Sequence, residues 1–232
     1  MISTPGQPGI PGDYSMSELL KLFDKHKTDK GSQKHFYHHV YEQHFEPLRN
    51  EPINILEIGV FRGASTAAFH EYFPNAQIYG VDIFVRMDPS EIQVLKEDRV
   101  HWLKTDSLDP SCTSAIQEKW PGVKFDIIID DGAHWPEANR LTFKHTFPLL
   151  KTGGKYFVED VWPFDIMDFH DWNHPWVTSN PNKYNKPDYL KFLAEISPYQ
   201  HQLYDVRMKQ DWTPRKDSRE YIPDSTIMMI EK

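Results

Sequence analysis

The sequence predicts an α/β fold in which a mostly parallel sheet carries helices on both faces. Three observations lead there: short apolar runs recur along the chain, stretches of helical spacing fall between them, and glycine or acidic residues close the runs. A sheet covered on both faces needs strands that are apolar almost throughout, and these runs have that character.

Composition sets the frame. The 232 residues suit one sizeable α/β domain, expected over 14–232. A formal charge of -8 argues against a nucleic-acid backbone as main partner and for a small-molecule or saccharide partner. Cys112 is the single cysteine, which excludes an intrachain disulfide and a thiolate-rich zinc site and fits a reducing cytoplasm. No run approaches the roughly 20 apolar residues that span a bilayer, and the N-terminus lacks the basic start and apolar run of a signal peptide, so no membrane insertion is expected. Homo-oligomerisation is compatible with all of this.

Residues 1–13 are rich in Pro and Gly and read as a flexible tail. Leu19, Leu20, Leu22 and Phe23 then have helical spacing with Ser17 as cap, and a second helix is expected from about His35 to Leu48. Thr28-Asp29-Lys30-Gly31-Ser32 forms a polar loop between them. Asn54–Ile58 reads as a strand, Ala64–Tyr72 as a helix and Gln77–Val81 as the next strand, together a βαβ unit. Further strands are expected at Val100–Leu103, Phe125–Ile129 and, after a Gly153-Gly154 turn, Tyr156–Val158, with a helix over Glu137–Leu150. Residues 162–187 hold Trp162, Trp172, Trp176 and four prolines without a sustained period, and read as a lid loop over the active-site edge. The three tryptophans either stack on a sugar ring or anchor the loop. A helix near Asp188–Ile196 and strands near Gln202–Val206 and Thr226–Ile230 complete the chain.

Chemistry concentrates where strands end. Ile55-Leu56-Glu57-Ile58-Gly59-Val60-Phe61-Arg62-Gly63 places an acid on the first strand and two glycines in the turn that follows. Glycine admits a close ligand approach and positive φ. The spacing E-x-G-x-x-x-G differs from the dinucleotide fingerprint G-x-G-x-x-G. An acid before the turn disfavours a diphosphate and favours a ligand carrying an ammonium and a sulfonium, as S-adenosylmethionine does. Asp82, at the end of the second strand, is suited to both ribose hydroxyls. Asp106 and Ser107 are suited to the adenine, and Ser65 and Asp130 join the candidate cofactor contacts.

Asp130-Asp131-Gly132-Ala133-His134 after the fourth strand and Glu159-Asp160 after the fifth would present four carboxylates and an imidazole in one small volume. Such charge asks for a counterion, and hard oxygen ligands suit Mg²⁺, Mn²⁺ or Ca²⁺. Asp131, Glu159 and Asp160 are the candidate ligands. His134 is the candidate general base, since an ordinary imidazole titrates near neutrality.

LEIGVFRGAS, IDDGAH and FVED, preceded by TDKGS, resemble the metal-dependent sugar O-methyltransferases of the mycinamicin macrolide type and the mycobacterial mannose O-methyltransferases. The resemblance covers roughly residues 24–162. It implies a Rossmann-like class I methyltransferase fold, a seven-stranded sheet with an antiparallel last strand, S-adenosylmethionine at the glycine turn and Mg²⁺ beside the acceptor. It also implies that Asp131, Glu159 and Asp160 are the metal ligands and His134 the base. The loop with Thr28, Lys30 and Gly31 would close over the methionine end of the cofactor, Lys30 pairing with its carboxylate. The chain is expected to lack the additional N-terminal domain of the macrolide enzymes, and 162–187 has no counterpart. A phenolic or other natural-product acceptor is the nearest alternative, and a non-catalytic cofactor-binding scaffold is one from another class.

Overall fold

The structure is a computed structural model that describes residues 17–167, 172–207 and 224–232. The stretch expected as a tail, 1–13, lies outside these residues, as do positions 168–171 of the expected lid.

Two helices open the described chain, α1 (Glu18–His26) and α2 (His38–Phe45). Ser17 caps α1 as expected, its Oγ accepting from Leu20 N at 3.1 Å. The second helix starts later than predicted, because the chain from Thr28 to Tyr37 is spent on the polar loop and Phe36 adopts a positive φ. Then come β1 (Asn54–Ile58), α3 (Ala64–Tyr72), β2 (Gln77–Asp82), β3 (Val100–Lys104), α4 (Cys112–Lys119), β4 (Phe125–Asp130), α5 (Pro136–Thr146) and β5 (Leu150–Val158). A short helix α6 (Pro175–Ser179), α7 (Lys186–Ile196), β6 (Gln200–Asp205) and β7 (Thr226–Glu231) complete it. The Gly153-Gly154 pair, expected as a turn before β5, lies inside that strand, where the register against β4 slips between Phe125 and Ile127. The glycines make a bulge there instead of a strand start.

All seven strands join one sheet in the order β3-β2-β1-β4-β5-β7-β6. Strands β1 to β5 run parallel, while β7 is antiparallel to both β5 and β6. This is the Rossmann-like arrangement with an antiparallel last strand. Alternation divides the core between the two faces. Ile55, Ile127, Ile129 and Phe157 pack with α1, α2 and α3. Leu56, Ile128, Tyr156 and Val158 pack with α4, α5 and α7.

An aromatic cluster anchors the second helix. Phe45 meets Tyr41, Phe69, Phe73 and Phe157 with ring centroids 4.6 to 6.0 Å apart, edge to face with Phe69 and Phe157. Each such pair adds about 1 kcal/mol beyond burial, so α2 is firmly held against β5 and α3. The order of strands reverses between β1 and β4, and open α/β sheets bind ligands in the crevice beyond the carboxyl ends of such strands. The loops after Ile58 and Asp130 flank that crevice. No helix among the described residues is long and apolar enough to cross a membrane.

Candidate active site

The turn after β1 requires its glycines. Gly59 has φ 92°, and a Cβ there would overlap the carbonyl oxygen of Asp131 and stand 2.7 Å from its carbon. Gly63 has φ 78°, and a Cβ would come within 2.7 Å of Ile92 and Val94 side chains. Phe61, between them, takes the left-handed region at φ 52° without being glycine. Asp82 holds this turn: its Oδ2 accepts from Phe61 N at 2.8 Å and its Oδ1 from Phe84 N at 2.6 Å. A carboxylate oxygen has a second lone pair, so Asp82 keeps acceptor capacity toward a ligand.

Other expected cofactor residues are engaged differently. Glu57 is fully buried, and its two oxygens accept from Ser65 Oγ and Thr66 Oγ1. It shares the sheet face of Ile55 and lies under α3, so Glu57 and Ser65 are engaged with each other in this structure. Burial pushes the Glu57 carboxyl up to about 7 against the opposing pull of Lys30, Ser65 and Thr66. The folded pKa is thus raised above the unfolded value, and the stability it supports is present below pH 4.5 and lost as pH rises through about 7. Glu57→Gln is expected to flatten that loss, worth about 3 kcal/mol, as read from urea unfolding of both proteins across this range. Ser107 Oγ pairs with Thr142 Oγ1 at 3.0 Å on α5, and Asp106 is exposed and accepts from Leu108 N at 2.9 Å. Asp130 is buried, its Oδ1 accepting from Gly132 N at 3.2 Å, and burial pushes it up to about 7.

The two acidic loops do converge. His134 Nε2 stands 3.1 Å from Asp131 Oδ1, and its Nδ1 stands 3.1 Å from Asp160 Oδ2. His134, Asp131 and Asp160 offer ligand atoms all within 4.8 Å of one another, the one such group of three among the described residues. His134 and Asp160 both hold positive φ, 62° and 51°, a strain that has to be maintained by the surrounding packing. Burial disfavours the charged ring, but Asp160 and Asp131 hold the His134 pKa well above its ordinary value. Both nitrogens of the ring expected as the base thus face carboxylates.

Glu159, expected as a third ligand, is outside this group. Tyr41 Oη donates to its Oε1, and Lys30 Nζ lies 2.5 Å from its Oε2. The same ammonium lies 2.5 Å from Asp131 Oδ2. Lys30, expected to pair with a cofactor carboxylate, is therefore already paired with two protein carboxylates while only 1% exposed. Burial opposes its charge, yet Asp131 and Glu159 hold it well above the ordinary lysine value. Thr28 Oγ1 accepts from Lys30 N at 3.4 Å, and Gly31 is pressed against Asp24, where a Cβ would stand 3.1 Å from the Phe23 Cβ. Both residues shape the loop around Lys30. Removing the ammonium leaves two buried carboxylates facing each other. Lys30→Met is expected to cost about 3 kcal/mol in chemical denaturation, near the low end for a broken buried pair because Asp131 is partly exposed.

Sequence reasoning missed Tyr37, Tyr41 and His35. Tyr37 Oη donates to Asp160 Oδ1 at 2.5 Å, and His35 Nε2 stands 3.6 Å from the same oxygen. The spacing of Tyr37, Tyr41 and Phe45, four residues apart on one helical face, was the available signal. The tryptophans separate: Trp162 is buried against Tyr184 and His174, and Trp172 packs on Phe164, so both anchor the segment. Trp176 on α6 is 61% exposed.

No protein-family model matches the chain. It is 34% identical over 159 residues to 8-demethyl-8-(2-methoxy-alpha-L-rhamnosyl)-tetracenomycin-C 3'-O-methyltransferase of Streptomyces olivaceus, covering 66% of this chain and 37% of that protein. It is 34% identical over 152 residues to mycinamicin VI 2''-O-methyltransferase of Micromonospora griseorubida, covering 62% and 36%. Among solved structures, MycE methyltransferase of the mycinamycin pathway, in complex with Mg and SAH, superimposes with a TM-score of 0.64 at 27% identity, over 93% of this chain and 55% of MycE. A putative caffeoyl-CoA O-methyltransferase from Staphylococcus aureus shares the fold at 17% identity and a TM-score of 0.57. The chain thus spans well under two thirds of the length of the curated relatives it matches. By sequence and by fold, it is related to the O-methyltransferases of tetracenomycin and mycinamicin.

Proposed function

We propose that the chain is one catalytic domain of an S-adenosylmethionine-dependent O-methyltransferase whose acceptor is a sugar hydroxyl on a glycoside or saccharide. The observation that carries this reading is the abutment of two loops: Gly59 has no room for a Cβ because the backbone of Asp131 lies against it. A cofactor cradle and a cluster of cation-binding side chains therefore share one wall, as a methyl donor and an ionising acceptor must. The relatives support it, since the names of two include sugar positions or a rhamnosyl group, and MycE has been solved with Mg, SAH and mycinamycin VI.

The chain's own residues divide the work. The Gly59–Gly63 turn would receive the methionine end, Asp82 the ribose hydroxyls, and Asp106 and Ser107 remain the candidates for the adenine edge. Two carboxylates suit a hard divalent ion, Mg²⁺ or Mn²⁺, which Asp131 and Asp160 would hold with His134 beside them. When bound, such an ion supplies positive charge that makes an aliphatic hydroxyl more acidic. His134 would take the acceptor proton as the acceptor oxygen attacks the methyl in a single displacement, breaking the sulfur–methyl bond and releasing S-adenosylhomocysteine. Lys30, itself held by Glu159, stands behind this group and fixes Asp131. Trp176 is the open aromatic surface on the segment after β5, available to a sugar face. The acidic charge and the single buried cysteine fit a cytoplasmic enzyme without a nucleic-acid partner, and a homo-oligomer is compatible with it.

The test is transfer of label from methyl-tritiated S-adenosylmethionine to methyl α-L-rhamnopyranoside and a panel of other methyl glycosides, with Mg²⁺ or with EDTA. Label on a sugar that EDTA abolishes is the expected result. Label only on catechols would replace the sugar by a phenolic acceptor, and no binding of the methyl donor would leave a scaffold.

A further inference from the structure

We infer that His35, together with Tyr37, is a positioning residue that turns Asp160 so that one carboxylate oxygen is left for the divalent ion. This rests on the proposed metal site and names residues outside it. Asp160 is buried and strained, with φ 51°, so its orientation has to be imposed by its neighbours. Tyr37 grips it twice: its Oη donates to Oδ1 at 2.5 Å and accepts from Asp160 N at 3.2 Å. His35 Nε2 faces the same Oδ1 from 3.6 Å. Both groups thus act on one oxygen, and Oδ2 is the one turned toward His134.

His35 is itself fixed on three sides. Its ring stacks on Tyr37 with centroids 4.8 Å apart and planes at 11°. Its Nδ1 lies 2.8 Å from Ser225 Oγ, and Asp29 Oδ2 stands 3.6 Å from Nε2. The residue is 1% exposed, and Nε2 makes no hydrogen bond among the described residues. A fully buried ring nitrogen is rarely left in that condition. Set between two carboxylates at 3.6 Å, it keeps Oδ1 on its own side. Partners one shell removed from a metal commonly govern affinity in this way, with losses of roughly 10- to 100-fold on mutation.

The experiment measures Mn²⁺ affinity by electron paramagnetic resonance for the wild type, His35→Ala, His35→Gln and Tyr37→Phe, with S-adenosylmethionine affinity by calorimetry on each. We expect His35→Ala to weaken Mn²⁺ binding by roughly tenfold or more with donor affinity unchanged. His35→Gln, which can place an N–H near the Nε2 position, should recover most of it. Equal Mn²⁺ affinity in wild type and folded His35→Ala overturns the inference, as does parallel loss of both ligands. If His35→Ala does not fold, Tyr37→Phe gives the same reading through removal of a single hydroxyl, and unchanged Mn²⁺ affinity there overturns it. A wild type that binds no Mn²⁺ overturns the metal site itself, which the variants alone would not do.

Discussion

Gly59→Ala is expected to abolish binding of S-adenosylmethionine, to weaken the divalent site and to destabilise the protein by about 4 kcal/mol. Two costs add. Alanine at φ 92° is outside the regions open to L-residues, and its methyl group would overlap the carbonyl of Asp131. That carbonyl belongs to backbone tied down by the hydrogen bond from Asp131 N to Ile58 O at 2.9 Å, so it cannot simply retreat. Relief has to come from moving the β1 turn, the loop after β4, or both. Because those loops are the two halves of the proposed site, one methyl group should damage cofactor and metal binding together. Calorimetry with each ligand, at a temperature where the variant remains folded, checks this. Loss of one ligand without the other would show that the loops are energetically independent despite their contact.

His134→Ala is expected to lower kcat by roughly 10²- to 10⁴-fold, the usual contribution of a general base. Mn²⁺ affinity should change by no more than a few-fold, because Asp131 and Asp160 keep their charges. The opposite pattern, a large fall in Mn²⁺ affinity, would make the ring a ligand and move the proton to another acceptor. The ring's present geometry gives the comparison its value. Both nitrogens face carboxylates at 3.1 Å, so the ring's orientation is fixed by Asp131 and Asp160 while it carries no metal-binding charge of its own.

The fold could be read from the sequence wherever burial left a continuous apolar run. The strands Asn54–Ile58 and Phe125–Asp130 are of this kind, each with a loop at its end that carries the chemistry. Helix α4 was not read, since only Cys112 and Ile116 of its residues are buried and two apolar positions four apart carry little periodicity. The convergence of Asp131, His134 and Asp160 was legible on the condition that the fourth and fifth strands pair, as β4 and β5 do. Their partners did not follow, for a physical reason: Lys30 is 101 positions from Asp131 and 129 from Glu159, and only packing of α1 and α2 against the sheet brings them together. A charged residue in a polar loop reads as solvated until the tertiary fold buries it. The engagement of Glu57 was legible in the sequence. Alternation along β1 puts it on the face of Ile55, under a helix that begins with two hydroxyl residues at Ser65 and Thr66.

In the proposed enzyme a methyl donor and a divalent ion occupy adjoining but separate sites on the two loops that meet at Gly59. The most direct measurement is calorimetric titration of S-adenosylmethionine into the protein with Mg²⁺ and with EDTA, repeated on Asp131→Ala. Donor binding should survive both metal removal and the substitution, alongside a Mg²⁺ titration that the substitution eliminates. Absence of donor binding under every condition would rule out a methyl-donor site at this turn.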